Sequence, residues 1–427
     1  MYRLIFSSLL VLAAMPVLAA SDSEARLCGD ARLEPPVWVE ACSRALALRD
    51  LTLQQHVLLL GARASALDEL GEHARAIADF DSAIVLAPDD AVLHLNRGAA
   101  KIHAGRPADA IADYDAAIRI RPDWHLPYFN RAVALTDLGQ RAAALKDYER
   151  AIRLKPDDAW IYVGQADVLA ASGDAQRALE SYDKALALRP DLDDPRAKRA
   201  NMLLRLDRPA EALPEFDRVL AGNPSKAPLW RSRGEAKFQL GRYAAAAVDF
   251  DEALALSPRD GETRRSLARA YLGVGNFEAA WHTLAAGSDD ADDAADLTLA
   301  ASVAMLTDRL EAAEALVRRA VDLQPGNAAA QAILALALWR QGDADDARDA
   351  AELAIAFAPE DAEIAAAATL VGAEPTTERT LLAQPANTPA RAARAACVAA
   401  LAAGDLAVAR QAGAAWSLCY LAAVTVR

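Results

Sequence analysis

The chain has 427 residues, 54% of them hydrophobic but only 6% aromatic, so its apolar content lies mostly in small side chains that suit close helix packing, and intrinsic disorder is excluded. Lysine and arginine number 46 against 60 aspartates and glutamates, a net charge of −14, which repels a phosphate backbone and argues against general nucleic-acid binding. With 4 cysteines and 6 histidines scattered along the chain, no metal framework is expected.

Residues 1–20 read Met-Tyr-Arg followed by LIFSSLLVLAAMPVLAA, a short basic start, an apolar stretch and small residues at its end, which is the pattern of a secretory signal cut after Ala19 or Ala20. The stretch is short for a bilayer span and Pro16 interrupts it, so an uncleaved anchor is disfavoured, and no later segment is apolar enough to cross a membrane. Export to a bacterial periplasm is therefore the expected location, and there cysteines pair. Cys28 and Cys42 flank Pro35-Pro36 in residues 21–56, a capping segment, and closing so short a loop stabilises by about 3 kcal/mol. Cys397 and Cys419 form a weaker candidate pair, offset along their hairpin, with two buried small hydrophobes as the alternative.

A strict period governs residues 57–361. Prolines stand at 88, 122, 156, 190, 224 and 258, each 34 after the last, and again at 325 and 359. With that proline as position 32, position 8 is alanine or glycine from Ala64 and Gly98 to Ala335, position 20 is alanine from Ala76 to Ala347, and position 15 is glycine except for Asp207 and Asp308. Position 24 is aromatic from Phe80 to Phe250 and then becomes Leu284, Val317 and Ala351. Glycine or aspartate between two apolar-periodic segments ends a first helix in a left-handed cap, and proline ends the second, so each period predicts a helical hairpin. Pro107 and Pro209 fall in the first turn of second helices, where proline is tolerated, whereas Pro214 inside one predicts a local bend. Residues 362–390 read as a degenerate helix and linker, and 391–427 as a terminal hairpin or cap around Gly404.

These residues, with runs such as NRAVALTDLGQRAAALKDYERAIRLKPDD at 130–158, resemble the tetratricopeptide repeat family over nine units. The resemblance implies an all-α fold, a right-handed superhelical solenoid of stacked helix-turn-helix repeats, whose first helices line a concave groove at positions 2, 5, 6, 9, 12 and 13. Helical geometry independently places positions 2, 5, 6, 9 and 13 on one face. That face carries Asn96 and Asn130 with Phe129 and Trp160, then Lys198, Asn201, Arg205, Arg231, Arg265 and Arg269, then Met305, Ile333, Leu336 and Trp339. The asparagines resemble those with which repeat proteins hold an extended peptide, since a side-chain amide both donates and accepts. The basic stretch would attract an acidic segment or a terminal carboxylate, unless its arginines pair with neighbours such as Asp194, Glu235 and Glu262. The family's carboxylate clamp is not reproduced, because Gly61, Ser65, Leu126 and Asn130 stand where it needs other residues and only Asn96 matches.

The sequence holds no phosphate-cradling loop, no H-E-x-x-H, no G-x-S-x-G and no Cys-x-x-Cys, so no catalytic residues, cofactor or metal site are expected. His94, His103 and His125 read as packing or surface residues, and Asp289, Asp290, Asp292 and Asp293 as a solvated connection without calcium-loop spacing. The expected function is a non-catalytic scaffold that binds a protein or peptide segment in its groove in the periplasm. The alternative is an assembly subunit that self-associates or docks on an envelope complex through its C-terminal repeats.

Overall fold

The computed structural model describes residues 23–288 and 293–361, together with 364, 367, 368, 371 and 372. The signal-like residues 1–20, Asp289, Asp290, Asp292, most of 362–390 and all of the 391–427 segment with Gly404, Cys397 and Cys419 lie outside the described residues. Among the described residues there are 20 helices and no strand, and no helix is long and apolar enough to cross a membrane.

Two N-terminal helices, α1 (Ser23–Cys28) and α2 (Pro35–Leu46), precede nine helix pairs in chain order. The first helices are α3 (Leu53–Glu69), α5 (Ala91–His103), α7 (His125–Asp137), α9 (Ala159–Ala171), α11 (Asp193–Arg205), α13 (Ala227–Gln239), α15 (Gly261–Gly273), α17 (Ala294–Leu306) and α19 (Ala328–Gln341). The second helices are α4 (His73–Leu86), α6 (Pro107–Ile120), α8 (Arg141–Leu154), α10 (Ala175–Leu188), α12 (Pro209–Gly222), α14 (Tyr243–Leu256), α16 (Phe277–Ser288), α18 (Leu310–Leu323) and α20 (Ala344–Phe357). The fold is an all-α solenoid of stacked helical hairpins. It divides into two compact units, one ending at Leu206 and one beginning at Asp207.

Each boundary has a local cause. α3 starts four residues before the period's first position because Thr52 and Gln55 form a reciprocal capping box. Asp90, Asp158, Asp260, Asp293 and Asn327 cap later first helices by accepting from backbone N–H groups. Every position-15 residue sits at positive φ, including Asp207 at 55° and Asp308 at 62°, which is the left-handed conformation that ends the first helix of each pair. α12 runs through Pro214, which lies on its exposed side.

Packing follows the period. All nine position-20 alanines are 0% exposed, and every position-24 residue from Phe80 to Ala351 is at most 5% exposed. The small residue at position 8 is required by contact, because a Cβ on Gly98 would lie 2.6 Å from the Tyr114 ring and one on Gly234 would lie 2.7 Å from Phe250. The ring also reaches the following repeat, where a Cβ on Gly164 would lie 2.6 Å from Tyr148. In the last three repeats, where position 24 is Leu284, Val317 and Ala351, volume moves to the first helices. Leu297, Leu299, Val303, Met305, Ile333, Leu336 and Leu338 join one continuous core.

A second periodic feature ties the second to seventh repeats each to the one before it. The position-4 side chain donates to the carbonyl of the preceding position-32 proline: His94 to Pro88 at 2.9 Å, Tyr128 to Pro122 and Tyr162 to Pro156 at 3.2 Å, Arg196 to Pro190 at 2.7 Å, and Trp230 to Pro224 and Arg264 to Pro258 at 2.8 Å. Four chemically different side chains thus satisfy the same carbonyl where a helix stops. The N-terminal end is closed by the Cys28–Cys42 bridge, Cα atoms 4.5 Å apart, and by the buried Trp38 indole donating to the Cys28 carbonyl at 2.6 Å.

Gly139 isolates the backbone requirement at the hairpin turn, since its φ is +72° and an added Cβ would meet nothing within 4 Å. Gly139→Ala is expected to lower stability by about 1 kcal/mol through left-handed strain alone. Urea denaturation checks this, and an unchanged midpoint would contradict the cap conformation.

Candidate functional site

The expected face is carried by the first helices of successive pairs. In the first unit Asn96 is half-buried on α5 and Trp160 is half-buried on α9, packed against Ala159, Val163, Ala185 and Leu192. Between them on α7, Phe129 and Asn130 are more deeply set than an open groove wall. Phe129 is 7% exposed and meets the Tyr148 ring edge-on at 6.0 Å. Asn130 is 4% exposed, and its Oδ1 is buried with no hydrogen-bond partner. On the same helix Leu126 is half-buried and Val133 is buried.

The basic part of the face is locally neutralised. In the first unit Lys198 pairs with Asp167 of the preceding repeat at 2.8 Å, and Arg205 donates to the Ala170 carbonyl at 3.0 Å near the end of α9, where a cation also complements the helix dipole. Asn201 is half-buried beside them. In the second unit Arg231 pairs with Glu262, and Arg265 pairs with Asp296 and, at 3.2 Å, with Asp293. Burial pushes the Arg269 guanidinium below its ordinary pKa and the Glu235 carboxyl above its own, while their mutual attraction works against both shifts. Apart from Asp293, these acids come from an adjacent repeat, so the cations act first as links between neighbouring repeats. Further on, Met305, Ile333 and Leu336 are 4%, 2% and 6% exposed and Trp339 is packed on the same core, so the apolar end of the expected groove is interior.

One charged constellation lies next to this face and was not anticipated from the sequence. Position 7 is arginine in Arg63, Arg97, Arg131, Arg199 and Arg233, and each reaches an aspartate 16 residues away. Arg97 joins Asp113 of its own repeat to Asp81 of the preceding one, Arg131 joins Asp147 to Asp115, and Arg233 joins Asp249 to Asp217. Lys101 and Lys237 approach Asp113 and Asp249 at 2.7 Å, so each nearly fully buried carboxylate meets two cations. In the fourth repeat Gln165 and Ser181 replace the pair with a neutral hydrogen bond of 3.0 Å. The signal was present in the 34-residue register, as arginine at position 7 with acids at positions 23 and 25.

The pKa of Arg131 is held above the ordinary guanidinium range, first by its hydrogen bond to Asp147. The ladder pairs cations with carboxylates, and its chemistry is that of a staple. Removing one partner of such a buried pair leaves the other uncompensated. Asp249→Ala is therefore expected to destabilise by about 3 kcal/mol, checked by urea denaturation. A loss below about 0.5 kcal/mol, the range of an exposed pair, would contradict this role.

Sequence models described as tetratricopeptide repeat match residues 41–190, 237–303, and both 198–261 and 298–362. No curated protein matches the chain. Among solved structures it is similar to YrrB, described as a TPR protein with an unusual peptide-binding site, at 20% identity over 51% of this chain and 95% of that one, with a TM-score of 0.38. It is also similar to a tetratricopeptide repeat protein from Parabacteroides merdae, at 18% identity over 55% and 93% with a TM-score of 0.43. A third is PilW, described as a widely conserved type IV pilus biogenesis factor, at 21% identity over 49% and 98% with a TM-score of 0.45.

Proposed function

We propose, from the premise that this chain belongs to the tetratricopeptide repeat family of protein–protein interaction scaffolds, that it holds an extended segment of a partner protein on the first-helix face of α5, α7, α9 and α11, without catalysis and after export. The observation that carries this reading is the amide of Asn130. A buried carbonyl oxygen without a partner costs about 1–3 kcal/mol, and a partner's backbone N–H recovers that cost once the amide turns outward.

Asn96 on the preceding repeat and Trp160 on the following one extend the same track. Neighbouring first helices pack at roughly 10 Å and an extended chain advances about 3.3 Å per residue, so one repeat serves about three residues of the partner. Backbone recognition of this kind suits a preorganised array, which spends little entropy on ordering itself. Lys198, Arg231 and Arg265 already hold acids of adjacent repeats, so an acidic segment or terminal carboxylate would engage them only by exchange. Recognition through amides therefore outranks charge.

Export is supported by the basic-apolar-small pattern of residues 1–20 and by the Cys28–Cys42 bridge, which persists in an oxidising compartment. The mature chain is expected to begin at Ala20 or Ser21 in a periplasmic fraction and to carry no free thiol at 28 or 42. N-terminal sequencing and thiol labelling check this, and an intact Met1 in a cytoplasmic fraction would contradict it.

A photoreactive residue at Asn96 or Trp160 is expected to capture a partner from envelope extracts, whereas one at the exposed Lys184 on α10 is not. Asn130→Ala is expected to lower capture about tenfold, the equivalent of 1.4 kcal/mol. Equal capture from Lys184, or no loss on Asn130→Ala, would overturn the reading.

A further inference from the structure

Three side chains outside the partner-binding track converge where the first two hairpins meet. Asp68 lies in the last turn of α3, His73 opens α4 across the Gly71 turn, and His103 closes α5 in the next repeat. His73 Nδ1 lies 2.8 Å from one carboxylate oxygen of Asp68, and His103 Nδ1 lies 2.8 Å from the other. The imidazole centroids are 5.6 Å apart, and one ligand atom from each of the three residues lies within 4.8 Å of the others. The Asp68, His73 and His103 side chains are 13%, 28% and 31% exposed, so the cluster is anchored and open to solvent.

We propose that Asp68, His73 and His103 bind one divalent transition-metal ion of the zinc class. Two imidazole nitrogens and one carboxylate oxygen are a donor set that zinc takes at about 2.0–2.2 Å, and three protein ligands leave a fourth position for water. At tetrahedral angles such bonds separate neighbouring ligand atoms by about 3.3 Å. The two imidazoles meet different oxygens of Asp68, and the ion takes one of them: that nitrogen–oxygen pair opens by roughly 0.5 Å and the other ring turns toward the ion, movements within reach of side-chain rotation. Calcium and magnesium are disfavoured because both prefer all-oxygen shells. A neutral imidazole that donates from Nδ1 moves its proton to Nε2 through solvent when Nδ1 takes the metal, so the exchange needs no net proton loss. The bound ion would clip α5 onto the α3–α4 hairpin and so stabilise the start of the repeat array.

The test is calorimetric titration of the untagged full chain with zinc chloride, alone and with millimolar calcium chloride. One equivalent is expected, undisturbed by calcium. Affinity is expected to fall on the order of 100-fold in His73→Ala and in His103→Ala and to stay unchanged in His125→Ala, with far-UV dichroism showing that all variants fold. An independent reading on the unmodified protein is acylation of histidines by diethylpyrocarbonate, from which zinc should protect His73 and His103 selectively. Absence of zinc uptake, or uptake retained in the His73→Ala/His103→Ala double variant, would overturn the proposal, as would protection that spares neither histidine.

Discussion

A ring at position 24 and the lack of a side chain, or nearly so, at position 8 form the contact on which the rest of the molecule depends. The Tyr114 ring lies where a Cβ on Gly98 would be, and Phe250 stands in the same relation to Gly234. Two helices joined by a short turn can approach this closely only if one of them presents no bulk, and the ring then fills the space toward the next repeat. Because the requirement recurs with every hairpin, it produces the 34-residue period, and the prolines and glycines mark where each helix must stop. Where the ring is lost, as at Val317 and Ala351, leucines and isoleucines of α17 and α19 take over the volume.

Polar groups form a second layer that depends on this spacing. Once the hairpins stand at a constant distance, a guanidinium at position 7 reaches carboxylates of its own and the preceding repeat, and a donor at position 4 reaches the proline carbonyl behind it. Much of the chain's charge is thereby committed to internal links. The consequence for function is that the first-helix face of the first unit is distinguished by its amides and its tryptophan more than by its cations. Asn130 is marked on that face by a buried amide oxygen without a hydrogen-bond partner, one of several such buried polar atoms among the described residues, His94 Nδ1 and Tyr114 Oη being others in the first unit.

The helices and their turns were legible in the sequence because size and backbone conformation admit few residue types. Only glycine or aspartate occupies position 15, and only alanine position 20, so a single chain exposes the rule. The start of α3 was missed because the Thr52–Gln55 box lies ahead of the period. The position-4 bonds were hidden because histidine, tyrosine, arginine and tryptophan perform one task with different atoms. The sequence left the basic stretch open between a patch and arginines paired with neighbours such as Glu262, which does pair with Arg231, whereas Asp296, 31 residues from its partner Arg265, was not singled out. Separation along the chain likewise hid the meeting of Asp68 and His73 with His103, 35 residues from Asp68: His103 was singled out with His94 and His125 as a packing or surface residue, and of these His94 donates to the Pro88 carbonyl. Phe129 was expected on an open wall and is instead part of the core around Tyr148, since helical periodicity gives the face of a residue but not its depth.

The contact between positions 8 and 24 is tested most directly by a double-mutant cycle on Gly98 and Tyr114, read as unfolding free energies in urea. Gly98→Leu should destabilise by overpacking and Tyr114→Ala by leaving a cavity, and the double variant should recover part of the loss, with a coupling energy of about 1–3 kcal/mol. Strictly additive losses would show that the leucine and the missing ring do not compete for the same space, and the packing account of the repeat would be wrong.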